Sequence, residues 1–144
     1  MQGQTHLAWG ALAGLVVAQI GSATGPEMAL CAAVGGLAGL VPDWLQVNVP
    51  GVKQVKGAFG HRGFSHWLWT PLGLAFLGRA VAPGSLLGAF VAGWVSHILL
   101  DALSNGAPVF WPFGRLTLGR IKTGGRLDTF TGAAAVVVGL VIVT

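Results

Sequence analysis

The sequence predicts an all-α integral membrane protein, a bundle of about five transmembrane helices, and three observations carry that reading. Of the 144 residues, 53% are hydrophobic and only 8% are charged, against about 25% charged in soluble domains. The mean hydropathy is +0.74. The apolar residues gather in five segments that approach the ~20 residues a helix needs to cross a bilayer, and they lack the period-two alternation of barrel strands.

The first segment, residues 4–21, has no Lys or Arg before its apolar run and is expected to be a retained span, not a cleaved signal peptide. The second, 27–46, ends in "GLVPDWLQ". The third, 65–80, is entered through "GHRGFSHW". The fourth, 84–104, carries "GWVSHILLDALSNG", and the fifth is 129–144. The third and fifth are short and must tilt little or thin the bilayer. Gly10/Gly14, Gly35/Gly39 and Gly84/Gly88 are small-xxx-small pairs that let helix backbones approach closely. These glycine-rich faces also allow a homo-oligomer. No linker or low-complexity stretch divides the chain, so residues 1–144 form one domain. The lone cysteine, Cys31, excludes a disulfide framework and a thiolate metal site, and reads as a packing residue.

Five spans put the N-terminus and the loops 47–64 and 105–128 on one side. These loops, with the start of the last segment, carry Lys53, Lys56, Arg62, Arg115, Arg120, Lys122 and Arg126, while the other side has Arg79 alone. The positive-inside rule makes the first side cytoplasmic, with the N-terminus in and the C-terminus out. The pI near 10.3 then reflects membrane anchoring and attraction to anionic head groups. No nucleic-acid partner is expected, because the basic residues are spread over two loops without a binding module.

That topology gathers the polar residues. His6 lies at the cytoplasmic start of the first span and Asp43 at the cytoplasmic end of the second. His61 and His66 bracket the entry to the third, His97 and Asp101 sit near the cytoplasmic end of the fourth, and Asp128 opens the fifth. Residues i and i+4 share a helix face, so His97 and Asp101 point the same way. Ionisable groups at such depth are expensive and normally face the bundle interior with a partner. Imidazole with carboxylate suits a divalent ion: zinc first, with manganese or iron also compatible. The donors are too many for one tetrahedral zinc, which points to two ions or to one ion with supporting partners. Taken singly, His6 also suits a helix–helix hydrogen bond, Asp128 an N-cap, Asp43 a turn, and Arg62 a charge partner for a carboxylate.

The motifs "FGHRGFSH", "VPDW" and "GWVSHILLDALSNGAPVFWPF" together resemble the YdjM-type inner-membrane metal-dependent hydrolases, some of which are under LexA control. The resemblance runs through nearly the whole chain and implies metal or catalytic roles for His6, Asp43, His61, His66, His97 and Asp101. Asp128 stands where similar sequences often have Glu. A more distant likeness, to zinc phospholipase C and the single-strand nucleases, suggests phosphoester hydrolysis.

The expected mechanism uses one or two ions held by these ligands, with Asp43 or Asp128 accepting a proton from water and Arg62 binding developing negative charge. The substrate is then a lipid or other amphiphile that presents its polar end at the cytoplasmic face of a prokaryotic inner membrane. Trp44, Trp67, Trp69 and Trp111, with Phe59, Phe64, Phe110 and Phe113, fall on the same side, as rings do in a head-group belt. Residues 107–126, too broken by Pro and Gly to span, are expected to form an interfacial lid. Three alternatives remain open: a haem carrier using pairs among His6, His66 and His97, an ion transporter, and a bundle stapled by a structural ion.

Overall fold

The computed structural model describes residues 1–45, 63–110 and 112–144. Lys53, Lys56, Phe59, His61, Arg62 and Trp111, six residues singled out above, lie outside the described residues. All named elements within the described residues are helical: α1 (Gly3–Ile20), α2 (Pro26–Ala38), α3 (Val41–Trp44), a 3-10 turn (Phe64–His66), α4 (Trp69–Gly78), α5 (Gly84–Ser104) and α6 (Arg126–Val143). Two of them, α5 and α6, are long and apolar enough by length and composition to cross a membrane.

Two expected spans are shorter than the sequence suggested. The second breaks at Gly39–Leu40, because Pro42 has no N–H to bond the carbonyl of Ala38 and its ring would meet that carbonyl in a continuous helix. Chain direction changes there, and Asp43 sits on the one-turn helix α3 that follows. The third breaks at Trp67, which is extended with ψ 137°. Its amide neighbour Leu68 bonds the Val109 carbonyl at 3.0 Å, and α4 starts beyond it with Pro71 in the first turn, where a missing N–H costs nothing.

Glycines set how closely the helices approach. A Cβ at Gly10 would overlap the Gly35 carbonyl, one at Gly14 the Cys31 carbonyl, and one at Gly93 the Gly35 carbonyl. Gly10 and Gly14 continue the i, i+4 stripe that begins at His6, and Gly35 and Gly39 form the facing stripe on antiparallel α2. On α5, Gly93, His97 and Asp101 make a third. The seam that closes three helices therefore ends in the polar cluster. Of the third glycine pair, Gly88 meets Val17 while Gly84 has nothing within 4 Å, so that pair does not make a comparable helix contact.

Polarity is distributed inside out. His6, His66, His97, Asp101 and Asp128 are at most 3% exposed, whereas Phe130, Val137 and Val141 on α6 are 60–70% exposed. A surface of Leu, Val and Phe around a core of ionisable groups is what a hydrocarbon solvent selects.

The segment from Asn105 to Gly125 contains no helix among its described residues. It folds back through an isolated bridge, Ala107 to Leu116, and then runs along the end of α5. Leu118 N–H donates to Ala102 O at 2.8 Å and Ile121 N–H to Leu103 O at 3.0 Å. These bonds satisfy carbonyls that the last helical turn leaves without partners.

Candidate metal centre

His97 is the centre of the cluster. Its Nδ1 lies 2.7 Å from Gly39 O, and a carbonyl only accepts, so Nδ1 carries the proton and Nε2 presents its lone pair inward. Gly39 is glycine because of a second contact, with α1: a Cβ there would lie 2.6 Å from the His6 carbonyl oxygen. The ring of His6 stacks on that of His97 with centroids 3.8 Å apart.

His66 enters from the 3-10 turn. Its Nδ1 lies 3.1 Å from Ser65 Oγ, and the Ser65 carbonyl accepts from buried Trp94 Nε1 at 2.7 Å. Trp94 thus fixes the turn from α5, one helical turn before His97. His66 Nε2 and His97 Nε2 face each other at 3.1 Å.

The carboxylates complete the group. Asp101 Oδ2 lies 3.3 Å from His66 Nε2 and 4.0 Å from His97 Nε2, and Oδ1 lies 3.5 Å from His6 Nε2. Met1 N is 3.2 Å from the same Oδ1. Asp43 Oδ1 is 3.7 Å from His97 Nε2 and 4.0 Å from His66 Nε2, and its side chain is 40% exposed. Two triads result, His6/Asp43/His97 and His66/His97/Asp101, each with its donor atoms within 4.8 Å of one another.

The donor set fits a divalent ion. Zn–N bonds of about 2.0–2.1 Å at a tetrahedral angle put two ligand nitrogens about 3.3 Å apart, close to the observed 3.1 Å. Both ring nitrogens of His6 are buried without a hydrogen-bond partner, which costs roughly 1–3 kcal/mol for each such group unless something binds it. Backbone and hydroxyl contacts on the far side of His97 and His66 supply the orientation that metal-binding imidazoles normally have.

Asp128 is not brought into either triad. Its Oδ2 accepts from Gln2 N at 2.9 Å and Gly124 N at 2.8 Å, while Oδ1 is buried without a hydrogen-bond partner. Thr5 Oγ1 reaches the Asp128 carbonyl at 3.3 Å. This residue clasps the start of α1 to the loop before α6. Gly39, Ser65 and Trp94, which orient the ligands, were not singled out by their chemistry in the sequence; Gly39 was visible only as half of a packing pair.

Buried imidazoles and carboxylates within a sheath of exposed apolar side chains define a small helical membrane protein with an internal His/Asp group that could hold a metal ion. The family model for the YdjM inner membrane protein matches residues 1–143, and the chain belongs to that family. It is similar to inner membrane protein YdjM of Escherichia coli (strain K12) and of Shigella flexneri, 39% identical to each over 67 residues, covering 42% of this chain and 34% of the relative. The matched stretch thus spans about a third of the length of these curated relatives. No solved structure matches the chain significantly.

Proposed function

We propose that the protein is a metal-dependent hydrolase of the inner membrane, acting on a phosphoester or other ester of a lipid or amphiphile at the cytoplasmic head-group level. The observation that carries this reading is the convergence of three imidazoles and two carboxylates from α1, α3, the 3-10 turn and α5 on one buried point. In the membrane, five helical passes with the N-terminus inside place that point near the cytoplasmic face, consistent with the distribution of Lys and Arg.

His66, His97 and Asp101 are the proposed ligands of one ion, with His6 and Asp43 completing it or holding a second; zinc is preferred. A bound divalent ion supplies an acidified water and polarises a phosphoryl or acyl oxygen. Asp43, the cluster member most open to solvent, accepts the proton of the attacking water. His97, held by the Gly39 carbonyl, and His66, held by Ser65, keep their inward nitrogens aimed without reorganisation. Arg62 and His61 retain their proposed roles, an anion contact and a ligand. Asp128 is assigned to the clasp described above.

The haem alternative finds little support here, because rings stacked at 3.8 Å and nitrogens 3.1 Å apart leave no room for a porphyrin plane within either pair. The reading is tested by incubating zinc- or manganese-loaded protein in detergent with a panel of phospholipids and alkyl phosphoesters and measuring released product. Turnover that disappears in Asp43→Asn while the ion at His66, His97 and Asp101 is kept supports it. A metal-loaded protein that cleaves no member of the panel sinks it.

A further inference from the structure

Beside the cluster, two cavities meet at one residue. The first, about 240 Å³, lies between α1, α5 and α6 and is lined in part by Trp9, Leu99, Leu100, Leu103 and Ile121. Its wall is apolar because the hydroxyls that reach it are spent on backbone: Ser96 Oγ donates to Gly93 O at 2.7 Å and Thr131 Oγ1 to Asp128 O at 2.9 Å. Empty apolar cavities of about 150 Å³ already take benzene. The Trp9 indole forms part of this wall.

The second cavity, about 380 Å³, is lined by Ser104, Asn105, Thr117, Arg120, Ile121 and Lys122. It is basic and hydroxyl-bearing, with no acidic side chain in its lining. Ile121 borders both spaces and is held there by its N–H bond to Leu103 O at 3.0 Å. Leu99 lines the first cavity and is 44% exposed on the apolar surface.

We infer that the two cavities are one binding site for an anionic phospholipid, distinct from the His/Asp cluster and independent of hydrolysis. An acyl chain enters past Leu99 and lies against Leu100 and Leu103. The ester linkage lies near the Trp9 indole. The phosphate meets Arg120 and Lys122 with the Thr117 hydroxyl, and basic residues near a membrane surface attract anionic lipid. Neither cavity alone specifies this ligand; an apolar slot continued by a basic cleft matches its two ends.

The test is native mass spectrometry of the full chain in detergent with equal amounts of phosphatidylglycerol or phosphatidylcholine added, and metal content read on the same samples. Phosphatidylglycerol adducts are expected to exceed phosphatidylcholine adducts at least fivefold. Arg120→Gln with Lys122→Gln is expected to erase the preference, and Leu103→Phe or Ser96→Leu to reduce both adducts, all without loss of metal. His97→Ala is expected to keep the adducts whether or not it loses metal, which separates this site from the hydrolase reading. Equal adducts for the two lipids, insensitivity to the cavity-filling variants, or displacement by millimolar inorganic phosphate would overturn it.

Discussion

His66 Nε2 and His97 Nε2 face each other at 3.1 Å, one on a 3-10 turn and the other in the middle of the longest helix. Because His97 Nδ1 is committed to the Gly39 carbonyl, the facing His97 nitrogen is an acceptor. His66 meets it in one of two ways. With Nδ1–H donated to Ser65 Oγ, both inward nitrogens offer lone pairs that could hold an ion. With the Ser65 hydroxyl donating to Nδ1 instead, His66 Nε2–H bonds His97 directly. Ser65 therefore lets the pair persist with or without metal, as a hydroxyl can serve either tautomer.

That arrangement predicts a protein that is less stable without metal but not necessarily unfolded. Adding a strong chelator to detergent-purified protein is expected to lower Tm, and restoring zinc to recover it with a dependence on free zinc concentration, since a ligand bound only by the folded state stabilises by mass action. A Tm indifferent to chelator and zinc would argue that the histidines are a dry polar pair.

Replacing Gly39 with Ala puts a Cβ 2.6 Å from the His6 carbonyl oxygen, and neither backbone can yield without separating α1 from α2. The expected cost is about 1–3 kcal/mol of overpacking, with metal affinity down by about 10–100-fold as the support of His97 shifts. Gly73 offers the control: nothing lies within 4 Å of its Cβ position, and Gly73→Ala in the interior of α4 is expected to be neutral or stabilising by up to about 1 kcal/mol. Thermal unfolding and metal content of the two variants check this contrast.

Asp128→Ala leaves the N–H groups of Gln2 and Gly124 without their acceptor. Gln2 and Gly124 are themselves exposed and the two bonds only partly buried, so each lost bond costs about 1 kcal/mol. Stability is expected to fall while the ratio of metal to folded chain stays near that of the wild type. If Asp128→Ala instead stripped the metal from folded protein, Asp128 would belong with the ligands.

Trp94→Phe removes the donor to Ser65 O and puts a smaller ring in place of the buried indole beside Phe90, whose centroid lies 5.3 Å from that of Trp94. The expected loss is about 1–3 kcal/mol in stability, from the unpaired Ser65 carbonyl and the space the indole leaves, with a measurable weakening of metal binding, because the turn holding His66 loses its tie to α5. Zinc titration of the variant against wild type reads the second effect.

Much of this was legible in the residues because helical spacing is a strong constraint. His97 and Asp101 share a face at i, i+4, and His6, Gly10 and Gly14 share another, so ligands and packing glycines could be placed before any coordinates. Helix ends were less legible: Pro42 lies inside an apolar run, and hydropathy does not register the backbone bond it removes. The role of Asp128 was hidden for a different reason. A carboxylate in the first turn of a helix reads the same whether it caps backbone amides or turns toward an ion, and only the positions of Gln2 and Gly124 decide. His66 was recognised as a candidate ligand, yet the Trp94 bond that aims it joins residues too far apart in sequence to leave a local signature.

The central claim is that the His/Asp cluster binds metal, and the most direct measurement is elemental mass spectrometry of detergent-purified protein beside His97→Ala and Asp101→Ala. The account predicts one or two divalent ions per chain in the wild type, falling at least tenfold in both variants, with zinc as the preferred metal. A folded wild-type protein that takes up no ion when offered zinc, manganese or iron, and that the two variants match, would contradict it.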